Sequence, residues 1–425
     1  MMSNENASVK KSDTVPFGIV FALFMYCGLN IALFTNTPGL FYAPVSEYLG
    51  IGRGEFSLYY SAQCVVTMIA LLFSGKILSK FRAHIKVILS LVAIIQLLGY
   101  VCFSQGTSII FWYFGAVLVG LGNAFSTHML VGLLANNWFK VGAGTIIGLV
   151  FAFNSIIGAI ASPMITTYLS TGPEAFRMVY LAIGVITAVV IVPTVIAFVR
   201  YAPEDVGKKP YGWSKVADSE GATDGNAPVS GVEYSKALKS PAFWMLFVFV
   251  IVITGWSSFN VALPGYASSI GYDALLVGIA ASCVLVGGVI GKILLGILSD
   301  KFGPYKSSAV YVVIGVVSMA LFIANPNQIL YLAGAVLFGI SGAMLSVVAP
   351  VATRKYFGDL DYGPIYANIN IGIWIGSAVI IPIYNFIFDF TGSYFGGMAL
   401  AFVYIVGGYV LLLVGQRIAN KLPRK

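Results

Sequence analysis

Long apolar runs, separated by short polar segments, pattern this chain from end to end. The first run is "FGIVFALFMYCGLNIALF", starting at Phe17. Each run holds roughly 20 residues, enough for a helix to cross a ~30 Å hydrocarbon core. The residues within a run do not alternate apolar with polar, as the strands of a membrane barrel would. The pattern predicts twelve helices, at 16–44, 55–78, 86–104, 108–136, 142–167, 175–199, 241–265, 274–297, 307–324, 327–352, 362–388 and 394–417. The first run is too long for a signal-peptide core and contains no small-residue cleavage site, so it is read as a retained helix. The expected fold class is an all-α polytopic membrane protein.

The polar segments divide the chain. Residues 1–15 read as a tail, 16–199 as one six-helix half, 200–240 as a linker, 241–417 as a second half and 418–425 as a closing tail. The linker is polar, contains Gly and Pro, and carries both charge signs, so it reads as a cytoplasmic linker. The halves repeat. "YFGAVLVGLGNAF" in the fourth helix parallels "LAGAVLFGISGAM" in the tenth, and "GKILSKFRAHIK" parallels "GILSDKFGPYK". The offsets, 219 and 221 residues, nearly agree. One six-helix unit used twice is a design of secondary transporters.

Composition sharpens the class. Of 425 residues, 59% are hydrophobic and 9% charged, against about 25% charged in soluble domains. With the N-terminus inside, Arg53 and Arg177 fall in outer loops and Lys292 within a helix. The other Lys and Arg residues, of 24 in all, face the inner side. That asymmetry predicts cytoplasmic termini in a cytoplasmic membrane. The net charge of +8 is therefore matched to anionic lipid, and nucleic acid is not an expected partner. Cys27, Cys64, Cys102 and Cys283 all lie in apolar segments and read as packing residues. No P-loop, metal-ligand cluster or nucleophile–base pair is present, and the spaced glycines of "GLGNAF" and "GVIGKILLG" lie inside apolar helices. The chain is not expected to be an enzyme or to hold a cofactor or metal.

Lys292 is the residue that the membrane pattern does not explain. It precedes Asp300 by eight residues, about 12 Å of helix, which puts it near mid-membrane. A charge at that depth costs at least ~2.5–3.5 kcal/mol and should face a cavity or a partner. All 16 Asp and Glu residues fall in loops or at helix ends, so no obvious protein counter-ion exists. A bound anion, hydroxyl and carbonyl partners with water, a neutral amine, and snorkelling to the inner surface remain open.

The run Gly296-Ile-Leu-Ser-Asp300-Lys301-Phe302-Gly303, with Lys306 after it, resembles the inner-loop motif of the major facilitator superfamily. The resemblance covers essentially the whole chain and implies twelve transmembrane helices in two pseudo-symmetric six-helix halves. The first copy, Gly75 to Arg82, departs from the motif in having Ser79 where the family usually has aspartate. The motif implies a gating role for Asp300, Lys301, Lys80 and Arg82, through contacts that hold the inner side shut.

"ALKSPAFWMLF", "ANNWF" and "ILSDKFG" resemble the branch containing the oxalate:formate antiporter and the monocarboxylate porters. In that branch an arginine contacts the substrate carboxylate at the position held here by Lys292. The second cation of the antiporter aligns with Ile369, and the porters' proton-coupling aspartate aligns with Gly288. His128 and Tyr366 match aromatic cavity positions. Asn30, Asn123, Trp256, Asn260 and Asn370 are further polar or aromatic candidates for the substrate site. The expected function is transport of a small organic anion, a monocarboxylate, by a monomer. Efflux of another solute, with Lys292 structural, and a membrane sensor without turnover are the alternatives.

Overall fold

The computed structural model describes residues 15–126, 128–213, 231–324 and 327–423. Twelve helices among them are long and apolar enough to cross a membrane: α1 Phe17–Leu40, α2 Arg53–Lys80, α3 Arg82–Ser104, α4 Ile109–Trp138, α5 Ala143–Leu169, α6 Ala175–Phe198, α7 Pro241–Val261, α8 Ala274–Phe302, α9 Pro304–Ala324, α10 Gln328–Phe357, α11 Tyr362–Thr391 and α12 Phe395–Ala419. Every helix expected from hydropathy is present, so the protein is an all-α, multi-pass membrane protein.

The boundaries differ in ways that have local causes. The helix expected over 16–44 stops at Leu40, and Tyr42–Leu49 forms a separate short helix. Regular α-helix ends at Phe34 and a 3-10 turn, Pro38–Leu40, follows, in which a Cβ on Gly39 would lie 2.8 Å from the Val261 carbonyl oxygen of α7. Within α1, Phe24–Leu29 is a wider π-helical turn, and Gly28 in that turn packs on the Phe153 ring of α5. The helix expected over 274–297 continues to Phe302, so Asp300 and Lys301 belong to its last turn. Gly303, at φ +83°, turns the chain directly into α9, a conformation that glycine adopts without a Cβ clash.

Some helix starts are capped by side chains that the sequence supplies locally. Asp273 accepts from the Leu276 N–H (2.8 Å) at α8, Asn327 accepts from the Leu330 N–H (2.9 Å) at α10, and Ser240 precedes Pro241 at α7. Several other starts, α2 among them, have no side-chain cap. Gly52 occupies the α2 N-cap and has no side chain to offer.

The two halves are α1–α6 and α7–α12. They meet along two helix pairs, α2 with α11 and α5 with α8, which the internal repeat exchanges. The C-terminal half has one continuous core, around Trp256, Phe338 and Tyr356. The N-terminal half has two. One, around Trp112, Tyr59 and Tyr180, reaches Ile381, Trp374 and Ala378 of α11. The other, around Leu78, Leu89 and Trp138, draws only on residues up to Tyr211. Apolar contact between the halves is therefore concentrated at the end bearing the α1–α2 and α11–α12 loops, called here the far end. The opposite end carries the linker.

Both ends of the linker are anchored to the helical halves. The Tyr211 N–H donates to the Trp138 carbonyl (2.8 Å) and the Lys140 N–H to the Tyr211 carbonyl (2.9 Å) after α4. After α10, the Val232 N–H donates to the Phe357 carbonyl and the Tyr234 N–H to the Asp361 carboxylate, each at 2.7 Å. A short helix, Tyr234–Lys239, follows. Buried Val232 and Ala237 give this polar segment the apolar anchors that composition alone conceals. Residues 214–230 of the linker, and 1–14 of the N-terminal tail, lie outside the described residues.

Candidate functional site

Helix α8 carries a row of residues facing the N-terminal half. A Cβ on Gly278 would fall on Pro163 of α5, Ser282 Oγ donates to the Ala159 carbonyl of α5 (2.5 Å), and Leu285 packs beside Gly158. Positions 278, 282, 285, 289 and 292 recur at helical spacing and share one face. Lys292 continues this row two turns past Leu285, about 10.5 Å further toward the linker end. It is half-buried, and among the described residues it makes no hydrogen bond or ion pair. The sequence placed a lone cation at mid-helix. The fold turns it toward the cleft between the halves.

Helix α11 supplies the facing row from its own side of the cleft. Ser61 Oγ of α2 donates to the Ala378 carbonyl (2.6 Å), and Trp374 packs on the N-terminal core. Asn370 lies one turn before Trp374 on the same side and makes no hydrogen bond among the described residues. Tyr366 is one turn further and stacks on Tyr362, with centroids 5.7 Å apart.

Other expected site residues have different surroundings. Asn30 and Asn123 are buried inside the N-terminal half, where Asn30 Nδ2 donates to Gln96 Oε1 (3.0 Å) and Gln96 Nε2 to Asn123 Oδ1 (3.3 Å). These bonds join three helices, the usual work of amides in a membrane. Trp256 is fully buried, donating to Ser341 Oγ (3.1 Å) with its ring against Phe338. The structure thus places each of the three within the packing of its own half, Asn30 and Asn123 in the N-terminal one and Trp256 in the C-terminal one. Asn260 sits in the last turn of α7, beside the Val261–Gly39 crossing at the far end. His128 begins the second part of α4, and its side chain lies outside the described residues.

The gating candidates contact groups of their own half. Arg82 approaches Asp205 (4.0 Å) at the linker start, and the Lys80 and Lys301 ammoniums lie over the rings of Phe81 and Phe302. Asp300 lines a cleft with Pro350, Val351, Arg354, Lys355 and Tyr362, all in the C-terminal half. Among the described residues the four gating candidates make no ion pair across the two halves in this conformation. At this end a Cβ on Gly75, Gly144, Gly148, Gly296 or Gly363 would meet nothing within 4 Å, so α2, α5, α8 and α11 leave open space along their linker-end turns.

The far end is closed by a contact that sequence reasoning missed. The Asp389 carboxylate, at the end of α11, accepts from the Arg53 N–H (3.1 Å) and the Gly54 N–H (2.7 Å). An acid of one half therefore caps the first helix turn of the other, where the macrodipole favours negative charge. The Arg53 guanidinium donates to the Tyr394 hydroxyl and lies 4.3 Å from the Phe388 ring centroid. The missing cap at Gly52 was the only sequence signal. Asp389→Ala should remove about 1 kcal/mol of capping and shift the equilibrium several-fold toward far-end opening. Distance measurements between spin labels on the α1–α2 and α11–α12 loops would read the shift, and unchanged distance distributions would exclude this latch.

Comparison with known proteins bears on the whole assembly. The sequence pattern of the Major Facilitator Superfamily matches residues 19–280 and 245–425. A stretch of 274 residues is 25% identical to the uncharacterized MFS-type transporter YhjX of Escherichia coli (strain K12), covering 63% of this chain and 62% of that protein. A stretch of 91 residues is 37% identical to glucose transporter 2C of Trypanosoma brucei brucei, covering 21% of this chain and 27% of that protein. The chain thus aligns with less than two thirds of the length of these curated relatives. The nucleoside transporter NupG superposes with a TM-score of 0.68 at 12% identity, covering 95% of this chain and 100% of that one. A bacterial homologue of the human lysosomal transporter Spinster, in an inward-facing and unoccupied conformation, superposes with a TM-score of 0.67 at 12% identity, covering 96% and 97%. At these identities the structural likeness establishes the fold alone.

Proposed function

This chain belongs to the Major Facilitator Superfamily, and from that premise we propose that it carries a small organic anion, a monocarboxylate, across the cytoplasmic membrane by alternating access. The observation that carries the reading is Lys292, a cation at membrane depth on the cleft-facing row of α8, with no protein counter-ion among the described residues. An unpaired ammonium in a low-dielectric setting is costly. A carboxylate entering the cleft offsets that cost and is held in return.

The number of cations supports one carboxylate over two. Ile369, which aligns with the antiporter's second cation, is fully buried in the C-terminal core. Gly288, aligned with the porters' aspartate, has no side chain, and a Cβ there would lie 3.8 Å from the Gly339 carbonyl oxygen of α10. That leaves anion exchange or facilitated diffusion as the favoured mode. The basic loops put the linker end in the cytoplasm, so this conformation is open inward. Rocking the halves about α2–α11 and α5–α8 would break the far-end contacts and bring Asp300, Lys301, Lys80 and Arg82 together across the linker end.

The test is competition for uptake into proteoliposomes at neutral pH. Monocarboxylates should inhibit at least about tenfold better than oxalate-like dianions, one charge-assisted contact being worth that much or more. Selective inhibition by oxalate, with none from monocarboxylates, would overturn the reading.

A further inference from the structure

We propose that Asn36 and Asn154 form a second anchor in the same cleft, binding a hydroxyl at the end of the anion opposite its carboxylate. This rests on the reading that Lys292 holds the carboxylate. Asn36 of α1 donates through Nδ2 to Asn154 Oδ1 of α5 at 3.0 Å. That single bond leaves Asn36 Oδ1 as an acceptor and Asn154 Nδ2 as a donor, neither with a partner among the described residues. Asn154 is 5% exposed, so a ligand group that bonds its remaining amide capacity would do so in a largely dehydrated setting.

The position of the pair ties it to Lys292. A Cβ on Gly158 would lie 2.8 Å from Leu285 Cδ1 and 3.1 Å from Asn36 Nδ2. Asn36 Nδ2 therefore sits level with Leu285, and Asn154, one helical turn before Gly158 on α5, lies nearer the linker end, beside the row that reaches Lys292. Several other asparagines in the bundle have partners elsewhere. Asn30 and Asn123 share Gln96, Asn368 donates to the Tyr234 hydroxyl, and Asn385 donates to the Ile381 carbonyl.

Chemistry and distance select the ligand. A free acceptor beside a free donor matches a hydroxyl, which both donates and accepts. The Leu285–Lys292 separation is about 10.5 Å along the helix. Side chains lean toward the helix N-terminus, so the lysine stem takes up about half of that distance. The gap that remains between the ammonium and the amides is the length of a short hydroxy acid with its two end contacts.

The probes are 4-hydroxybutyrate and butyrate, with binding to the purified full chain measured by calorimetry. Wild type should bind 4-hydroxybutyrate about tenfold more tightly than butyrate. Asn154→Leu should equalise the two while retaining butyrate binding, and Asn36→Ala serves if Asn154→Leu does not fold. Equal wild-type affinities, both lost in Lys292→Ala, would overturn the amide anchor and leave the carboxylate reading standing. So would undiminished preference in a folded variant of either asparagine. Wild-type affinity in Lys292→Ala, or no binding of either acid, would overturn the carboxylate reading and this proposal with it.

Discussion

Lys292→Ala reduces carboxylate transport to background in proteoliposomes, while the protein still inserts and purifies as wild type does. Two facts set the size of this expected effect. Lys292 makes no hydrogen bond or ion pair among the described residues, so its removal breaks no structural pair. It also takes away the one charge on this row of α8, and charged contacts in desolvated sites are commonly worth 2–5 kcal/mol, a loss of more than ~30-fold. Lys292→Arg should retain part of the activity, because the charge survives while the guanidinium fork changes the geometry. Initial uptake rates of a labelled monocarboxylate provide the measurement. Wild-type rates in Lys292→Ala would remove Lys292 from the substrate site.

Gly278→Val should also abolish transport, by a different route. A Cβ at Gly278 falls on Pro163 Cα and Thr166 Oγ1 of α5. The proline backbone cannot rotate away as a flexible side chain would. The α5–α8 contact must widen, and the Ser282–Ala159 hydrogen bond widens with it. The protein should then fold but fail to close its far end, and so never release substrate on the linker side. A cysteine introduced at Ser282, half-buried at the closed contact, should become more reactive to a membrane-impermeant thiol reagent in the Gly278→Val background. Gly407→Val is the control, since a Cβ there meets nothing within 4 Å. Normal transport by Gly278→Val would mean that the α5–α8 contact is not part of the cycle.

The candidate site was only partly legible in the sequence. Lys292 stood out because a cation amid "GGVIGKILLG" is anomalous wherever the helix packs. Asn30, Asn36 and Asn123 looked alike along the chain, each a single amide in an apolar run. Their separation into a satisfied network and an unsatisfied pair depends on Gln96 and Asn154, 66 and 118 residues from Asn30 and Asn36. Trp256 likewise read as a possible ligand aromatic until Ser341, 85 residues later, took its N–H.

By itself the sequence determined the twelve membrane helices, their two-fold repetition and the depth of the lone lysine. These follow from run length, internal similarity and position within a run, all local properties measured against a membrane of fixed thickness. Only the tertiary structure decided which face of α8 bears Lys292 toward the cleft, which end of the bundle is closed, and that Asp389 caps α2 across 335 residues of chain. Those outcomes depend on which helices lie side by side. Hydropathy is nearly uniform around many of these helices and so carries little information about facing partners. Small residues such as Gly278 and Gly158, and hydrogen bonds between distant segments, select the faces once the helices pack.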